Sequence, residues 1–130
     1  MKITAFNPII LTKNSGPLLE LFEALGFEKK HIKDGIENGD VTSYDMKNSD
    51  GFRINIAQAD KLPQDTDLTV IRMNVSDFNE AYEFLTARGF KNVQGDKVAD
   101  TGSSKVALMV SPSGYAISLA HHIKKQPQEV

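Results

Sequence analysis

The strongest constraint on this chain is that it contains the same pattern twice. Gly51-Phe52-Arg53-Ile54-Asn55-Ile56-Ala57 returns as Gly114-Tyr115-Ala116-Ile117-Ser118-Leu119-Ala120, and Glu20-Leu21-Phe22-Glu23-Ala24-Leu25-Gly26-Phe27 returns as Glu83-Phe84-Leu85-Thr86-Ala87-Arg88-Gly89-Phe90. Both pairs are offset by 63 (114 − 51 and 89 − 26). Two unlike patches sharing one offset, with no gap to adjust, imply two halves built on one plan.

Each half then reads in the same order. Ile3 to Thr12 is a run of β-branched and apolar residues that stops at Lys13-Asn14-Ser15-Gly16-Pro17, which predicts a buried strand followed by a helix start. Asn14 or Ser15 is placed to cap the free amides, and Pro17 suits the first turn because its missing N–H would be unpaired there. Leu18, Leu19, Phe22 and Leu25 form one helical stripe, which Gly26 ends. Three strands follow: polar Glu28 to Ile36, closed by hairpin residues Asn38-Gly39, then Val41 to Met46 and Phe52 to Ala57.

Ala59 to Asp67 is polar, contains Pro63 and reads as a linker. Beyond it come a strand at Leu68 to Val75, a helix opened by Asp77 with Glu80 in a capping box, and a stripe of Phe78, Ala81, Tyr82 and Leu85. Strands at Lys91 to Asp100, Val106 to Val110 and Tyr115 to Ile123 complete the second half. The expected organisation is one domain of two modules, 3–58 and 68–123, joined by a linker at 59–67 and followed by a flexible tail at 124–130. The fold class is α+β, with two tandem βαβββ modules.

Bulk properties exclude several roles. Fifteen basic against 17 acidic residues are scattered along the chain, so nothing attracts nucleic acid or an anionic membrane. No apolar run approaches spanning length, and no basic segment followed by an apolar run opens the chain. With no cysteine there are neither disulfides nor thiolate metal sites, which suits the cytoplasm. No nucleotide fingerprint, phosphate loop or Ser-His-Asp order is present, and Ser111-Pro112-Ser113-Gly114 reads as a turn.

A module of one helix on a small sheet leaves the other sheet face bare, and two modules can close their bare faces into a concave groove suited to a small molecule. The module order, the Leu25-Gly26-Phe27 and Arg88-Gly89-Phe90 helix ends and the Ser111-Pro112-Ser113-Gly114-Tyr115 turn together resemble the vicinal oxygen chelate superfamily from Ile3 to Ile123. That superfamily includes glyoxalase I, extradiol dioxygenases, methylmalonyl-CoA epimerase and the bleomycin and fosfomycin resistance proteins. The resemblance implies a curved mixed sheet around a central groove, and a homodimer. It also implies a divalent metal held at positions that fall here on Asn7, Asn55, Val70 and Ser118. None of these is a carboxylate, imidazole or thiolate, so no metal and no other cofactor is expected.

Strand alternation from those positions gives the expected groove: Asn7, Ile9 and Leu11; Arg53, Asn55 and Ala57; Val70, Arg72 and Asn74; Ala116, Ser118, Ala120 and His122. Ile10, Phe52, Ile54, Ile56, Ile71, Met73, Val75, Ile117 and Leu119 would then lie under the helices. Arg53 and Arg72 either clamp a carboxylate or phosphate, or reach the groove mouth and pair with a local carboxylate. Adjacent His121 and His122 point to opposite faces and cannot share a metal, while His122 at the groove is the candidate for a metal-free general base. Three functions remain open: a metal-free protein that binds and sequesters a small, anionic molecule; a lyase, isomerase or dioxygenase-like enzyme with rearranged ligands or His122; and a degenerate module acting through protein contacts.

Overall fold

The structure, a computed structural model, describes residues 1–35, 41–62, 64–100 and 104–122. The hairpin residues Asn38-Gly39, Pro63, most of the turn after Asp100 and the tail lie outside the described residues. In chain order the elements are β1 (Ile3–Thr12), α1 (Gly16–Ala24), β2 (Glu28–Gly35), β3 (Val41–Lys47), β4 (Arg53–Ala59), β5 (Leu68–Val75), α2 (Phe78–Thr86), β6 (Lys91–Asn92), β7 (Ala99–Asp100), β8 (Ser104–Val110) and β9 (Ala116–His122). Helices and mixed strand pairing make the fold α+β. No described helix is long and apolar enough to cross a membrane.

The chain forms two compact units, Asn7–Arg72 and Met1–Phe6 with Met73–Val130. In the first, β2, β3 and β4 run antiparallel and β4 pairs in parallel with β1. Helix α1 covers one face, where Leu19, Met46, Ile54 and Ile56 are buried and Ile10, Leu18, Phe22, Phe27 and Tyr44 pack around them. In the second, β9 neighbours β5 and pairs antiparallel with β8, which also carries β6 and β7. Its core joins Phe78, Ala81 and Leu85 of α2 to Met73, Val75, Ala107, Met109, Ile117 and Leu119. Each buried Ile, Leu or Met side chain stabilises its unit by about 1.5–3 kcal/mol relative to exposure.

The duplication extends to individual atoms. Asp45 pairs with Asn55, Met46 with Ile54 and Val41 with Ala59, and 63 residues on Leu108 pairs with Ser118, Met109 with Ile117 and Ser104 with His122. The turns match too: Asn48 N–H donates to the Phe52 carbonyl at 3.0 Å and Ser111 N–H to that of Tyr115 at 2.9 Å. Gly51 and Gly114 hold φ of 90° and 95° there, a left-handed conformation that favours glycine.

Four local expectations change. Ser15 has helical φ and ψ (−77°, −20°) and makes no side-chain cap; its N–H and hydroxyl both donate to Gln58 Oε1 at 2.7 Å instead. Asp77, in extended geometry, does cap α2, accepting from Glu80 N–H at 3.0 Å, while the Glu80 carboxylate meets the N-terminal ammonium. The strand expected from Lys91 to Asp100 is interrupted, because Asn92 accepts from Gln94 N–H and donates to the Lys97 carbonyl, folding the segment into a turn. Leu25 and Phe52 are exposed, the first at the helix end and the second in the turn, and Ile71 stays outside the core.

Candidate functional site

The Asn7–Arg72 unit has one face under α1 and one free of it. On β4, Ile54 and Ile56 pack beneath the helix, so alternation turns Arg53, Asn55 and Ala57 to the free face. On β3, Tyr44 and Met46 pack beneath the helix, and Ser43, Asp45 and Lys47 turn the other way. Register then sets Asp45 beside Asn55, Asn55 beside Ile9, and Lys33 of β2 beside Ser43.

A chain of polar contacts crosses this face. Asn7 Nδ2 donates to Asn55 Oδ1 at 2.8 Å and to the Pro8 carbonyl at 2.9 Å, and both amides are buried. Because a carbonyl can only accept, the Pro8 contact fixes which way the Asn7 amide points. Its oxygen therefore faces Arg72, whose Nη1 donates to it over a long 3.5 Å. Arg53 lies beside Asp45, with Nη1 at 3.2 and 2.9 Å from the two carboxylate oxygens.

The two arginines differ in how well they are satisfied. Arg53 is paired and substantially exposed, which is the local-carboxylate alternative. Arg72 has no carboxylate within 4.0 Å among the described residues, and its one hydrogen bond is at the weak end of the range. Burial, the largest cause, pushes the Arg72 guanidinium below its ordinary value; Asp45 opposes this and Arg53 adds to it. Lys33 is also lowered, by burial first and then by Arg72, so its ammonium lies within the same field. The face is thus a partly desolvated cationic surface with buried amides at its base.

The remaining candidates fall as follows. Ile9 and Val70 are buried side chains of the same unit. Asn74, Ser118 and His122 belong to the other unit, where Asn74 Nδ2 donates to Thr4 Oγ1 at 2.8 Å and Asn74 Oδ1 accepts from His122 N–H at 3.1 Å. Ser118 is in register with Leu108, and His122 Nδ1 lies 2.9 Å from Ser104 Oγ. His121 Nδ1 donates to the Val75 carbonyl at 2.8 Å. Tyr44 and Tyr82 pack into the two cores. Asp45 and Lys33 were missed by sequence reasoning.

A divalent ion with oxygen ligands at about 2.0–2.6 Å needs lone pairs turned toward it. Asn7 turns its NH₂ group toward Asn55, which uses the Asn55 oxygen as an acceptor, and buried Val70 has no donor atom. The residues at the resemblance's metal positions in this unit therefore do not fit a metal. Among the described residues no group of three or more His, Cys, Asp or Glu is gathered as a metal cluster.

No protein-family model matches the sequence, and no curated protein matches it. Solved structures do match in fold. Methylmalonyl-CoA epimerase from Mycobacterium tuberculosis has a TM-score of 0.70 at 13% identity, covering 94% of this chain and 90% of its own. A hypothetical protein from Bacillus halodurans C-125 has a TM-score of 0.69 at 12% identity, covering 92% and 94%. A variant of Streptomyces coelicolor methylmalonyl-CoA epimerase, solved with 2-nitronate-propionyl-CoA, has a TM-score of 0.67 at 15% identity, covering 95% and 99%. The neighbours are vicinal oxygen chelate proteins, and this chain has their fold.

Proposed function

We propose that this chain binds a small anionic molecule without a metal, on the face of the Asn7–Arg72 unit that carries Asn7, Asn55 and Arg72. The observation behind this reading is Arg72, a partly desolvated guanidinium left with one long amide contact and no carboxylate partner among the described residues. A guanidinium taken out of water is costly until an oxyanion meets its N–H fork, and the bound anion supplies that compensation. Asp45 holds Arg53 aside, so Arg72 carries the contact. The Streptomyces epimerase neighbour was solved with an acyl-CoA ligand, itself an anion, which supports this ligand class as a starting probe.

The test is equilibrium binding of acetate, malonate, inorganic phosphate and a short acyl-CoA in the presence of a chelator. Binding of at least one probe that weakens about tenfold or more in Arg72→Gln is expected, on the scale of a charge-assisted contact. Absence of binding by all four, or binding that appears only on adding a metal, contradicts the reading. On this reading the protein works in the cytoplasm as a homodimer, and light scattering at a mass of two chains checks the second part.

One observation favours catalysis as a second reading. Ser104 Oγ holds the His122 ring by Nδ1, the kind of orientation a general base requires. His122→Ala would then abolish turnover of an anionic substrate while leaving the fold intact, and an unchanged rate removes this reading.

A further inference from the structure

We infer that the Arg72 guanidinium stands in for the divalent cation of metal-binding proteins with this fold, so that the face takes carboxylates and phosphates and rejects neutral compounds with neighbouring oxygens. The inference rests on the reading that this face holds an anion, and it adds which charge does so and which ligands are thereby excluded.

Three features of the same unit point there. Positions 7 and 55, which the resemblance makes metal ligands, are joined directly by an amide hydrogen bond of 2.8 Å, so the Asn55 oxygen is engaged by an N–H donor and Asn7 turns an N–H toward it. The Asn7 oxygen turned away from Asn55 receives Arg72, so positive charge reaches the atom that a metal would otherwise contact. Arg72 also lies two residues beyond Val70 on β5, and alternation puts both on one side of the strand. Where a metal position has lost its donor, a fixed cation is supplied by the next residue on that side.

The substitution has a chemical consequence. A divalent ion accepts lone pairs from two neutral neighbouring oxygens and acidifies the hydroxyls it binds. A guanidinium cannot accept lone pairs. It donates paired, coplanar N–H bonds, which suit the two oxygens of one carboxylate or phosphate and gain little from a neutral diol or hydroxyketone. Malonate and inorganic phosphate are therefore ligand types for this face, and catechol and hydroxyacetone are not.

Two measurements test the place of the charge without relying on any ligand. In Asn7→Asp, a nearly isosteric change, the introduced carboxyl should titrate at least about one unit lower with Arg72 present than in Asn7→Asp/Arg72→Met, as for a carboxylate beside an arginine. Titration within about 0.3 units in the two variants overturns the inference, since that is far below the effect of an adjacent opposite charge. In the second arm, Asn7→His/Asn55→Glu/Val70→His supplies metal donors, and adding Arg72→Met should tighten nickel or manganese binding about tenfold or more by removing the competing cation. Equal metal affinity with and without Arg72 overturns it as well. If these arms succeed while no anion binds the native protein, the placement of the charge stands, and the proposed function and the ligand preference drawn from it both fail. If malonate binds but neither arm responds to Arg72, only the present inference fails.

Discussion

The two units share a backbone and differ in what they do with it. Asp45, Arg53 and Asn55 on the free face of the first correspond, at an offset of 63 and in the same strand register, to Leu108, Ala116 and Ser118 in the second. The helix starts diverge in the same manner. In the first unit Gln58 of β4 holds Ser15 by two hydrogen bonds, Ser15 makes no side-chain cap, and Asn14 Oδ1 accepts from Gly16 N–H only over a long 3.4 Å. In the second the corresponding residue is His121, which instead donates to the Val75 carbonyl, and Asp77 caps the helix. Duplicated pairing and turn geometry conserve the architecture, whereas Asp45, Arg53 and Asn55 have uncharged counterparts at these three positions.

The largest expected effect tests the shared architecture. Ile56 and Leu119 are equivalent and fully buried, so Ile56→Ala and Leu119→Ala should each cost about 2–5 kcal/mol in chemical denaturation. A cost confined to one of them would show that the halves contribute unequally despite their common register. Next come the helix-ending glycines. Gly26→Ala meets open space but must adopt a φ of 101°, at about 1–2 kcal/mol. Gly89→Ala adds a Cβ 2.9 Å from Pro112 Cγ to a φ of 92° and should lose more. Equal melting temperatures for the two variants would refute that ranking.

Helix-start variants separate a cap from a latch. Asp77→Ala should cost about 1 kcal/mol, the usual worth of a cap. Gln58→Ala should cost about 1–3 kcal/mol, because it strips the acceptor from the buried Ser15 hydroxyl and its N–H. Finding Gln58→Ala neutral while Ser15→Ala is costly would show that Ser15 acts through the helix instead. The smallest effect concerns Lys33. Its folded value lies below the ordinary 10.5, so just under that pH the native state binds fewer protons than the unfolded chain. The contribution of Lys33 to stability therefore improves as pH rises through that window, and Lys33→Gln should flatten the profile.

Much of the architecture is legible in the sequence, because the large apolar residues Ile54 and Ile56 of β4 and Ile117 and Leu119 of β9 keep one parity and lie under helices. The free face is legible in part. On β3 the apolar residues Val41, Tyr44 and Met46 fall on both parities, which hides the side that Asp45 takes. On β2 a register shift between Lys29 and His31 breaks alternation before Lys33 is reached, so counting along the strand misplaces it. The fate of Arg53 depended on a cross-strand neighbour, and that of Ser15 on a glutamine 43 residues away, contacts that local patterns do not encode.

On the proposed reading, the chemistry of this protein sits on the Asn7, Asn55 and Arg72 face and uses an organic cation. Titrating malonate into isotope-labelled protein in the presence of a chelator, with side-chain amide and guanidinium N–H signals followed by NMR, tests it most directly. Saturable shifts strongest at the Asn7 and Asn55 amides and the Arg72 guanidinium, abolished in Arg72→Gln, are the expected result. Shifts centred on other residues, or unchanged in Arg72→Gln, would contradict it.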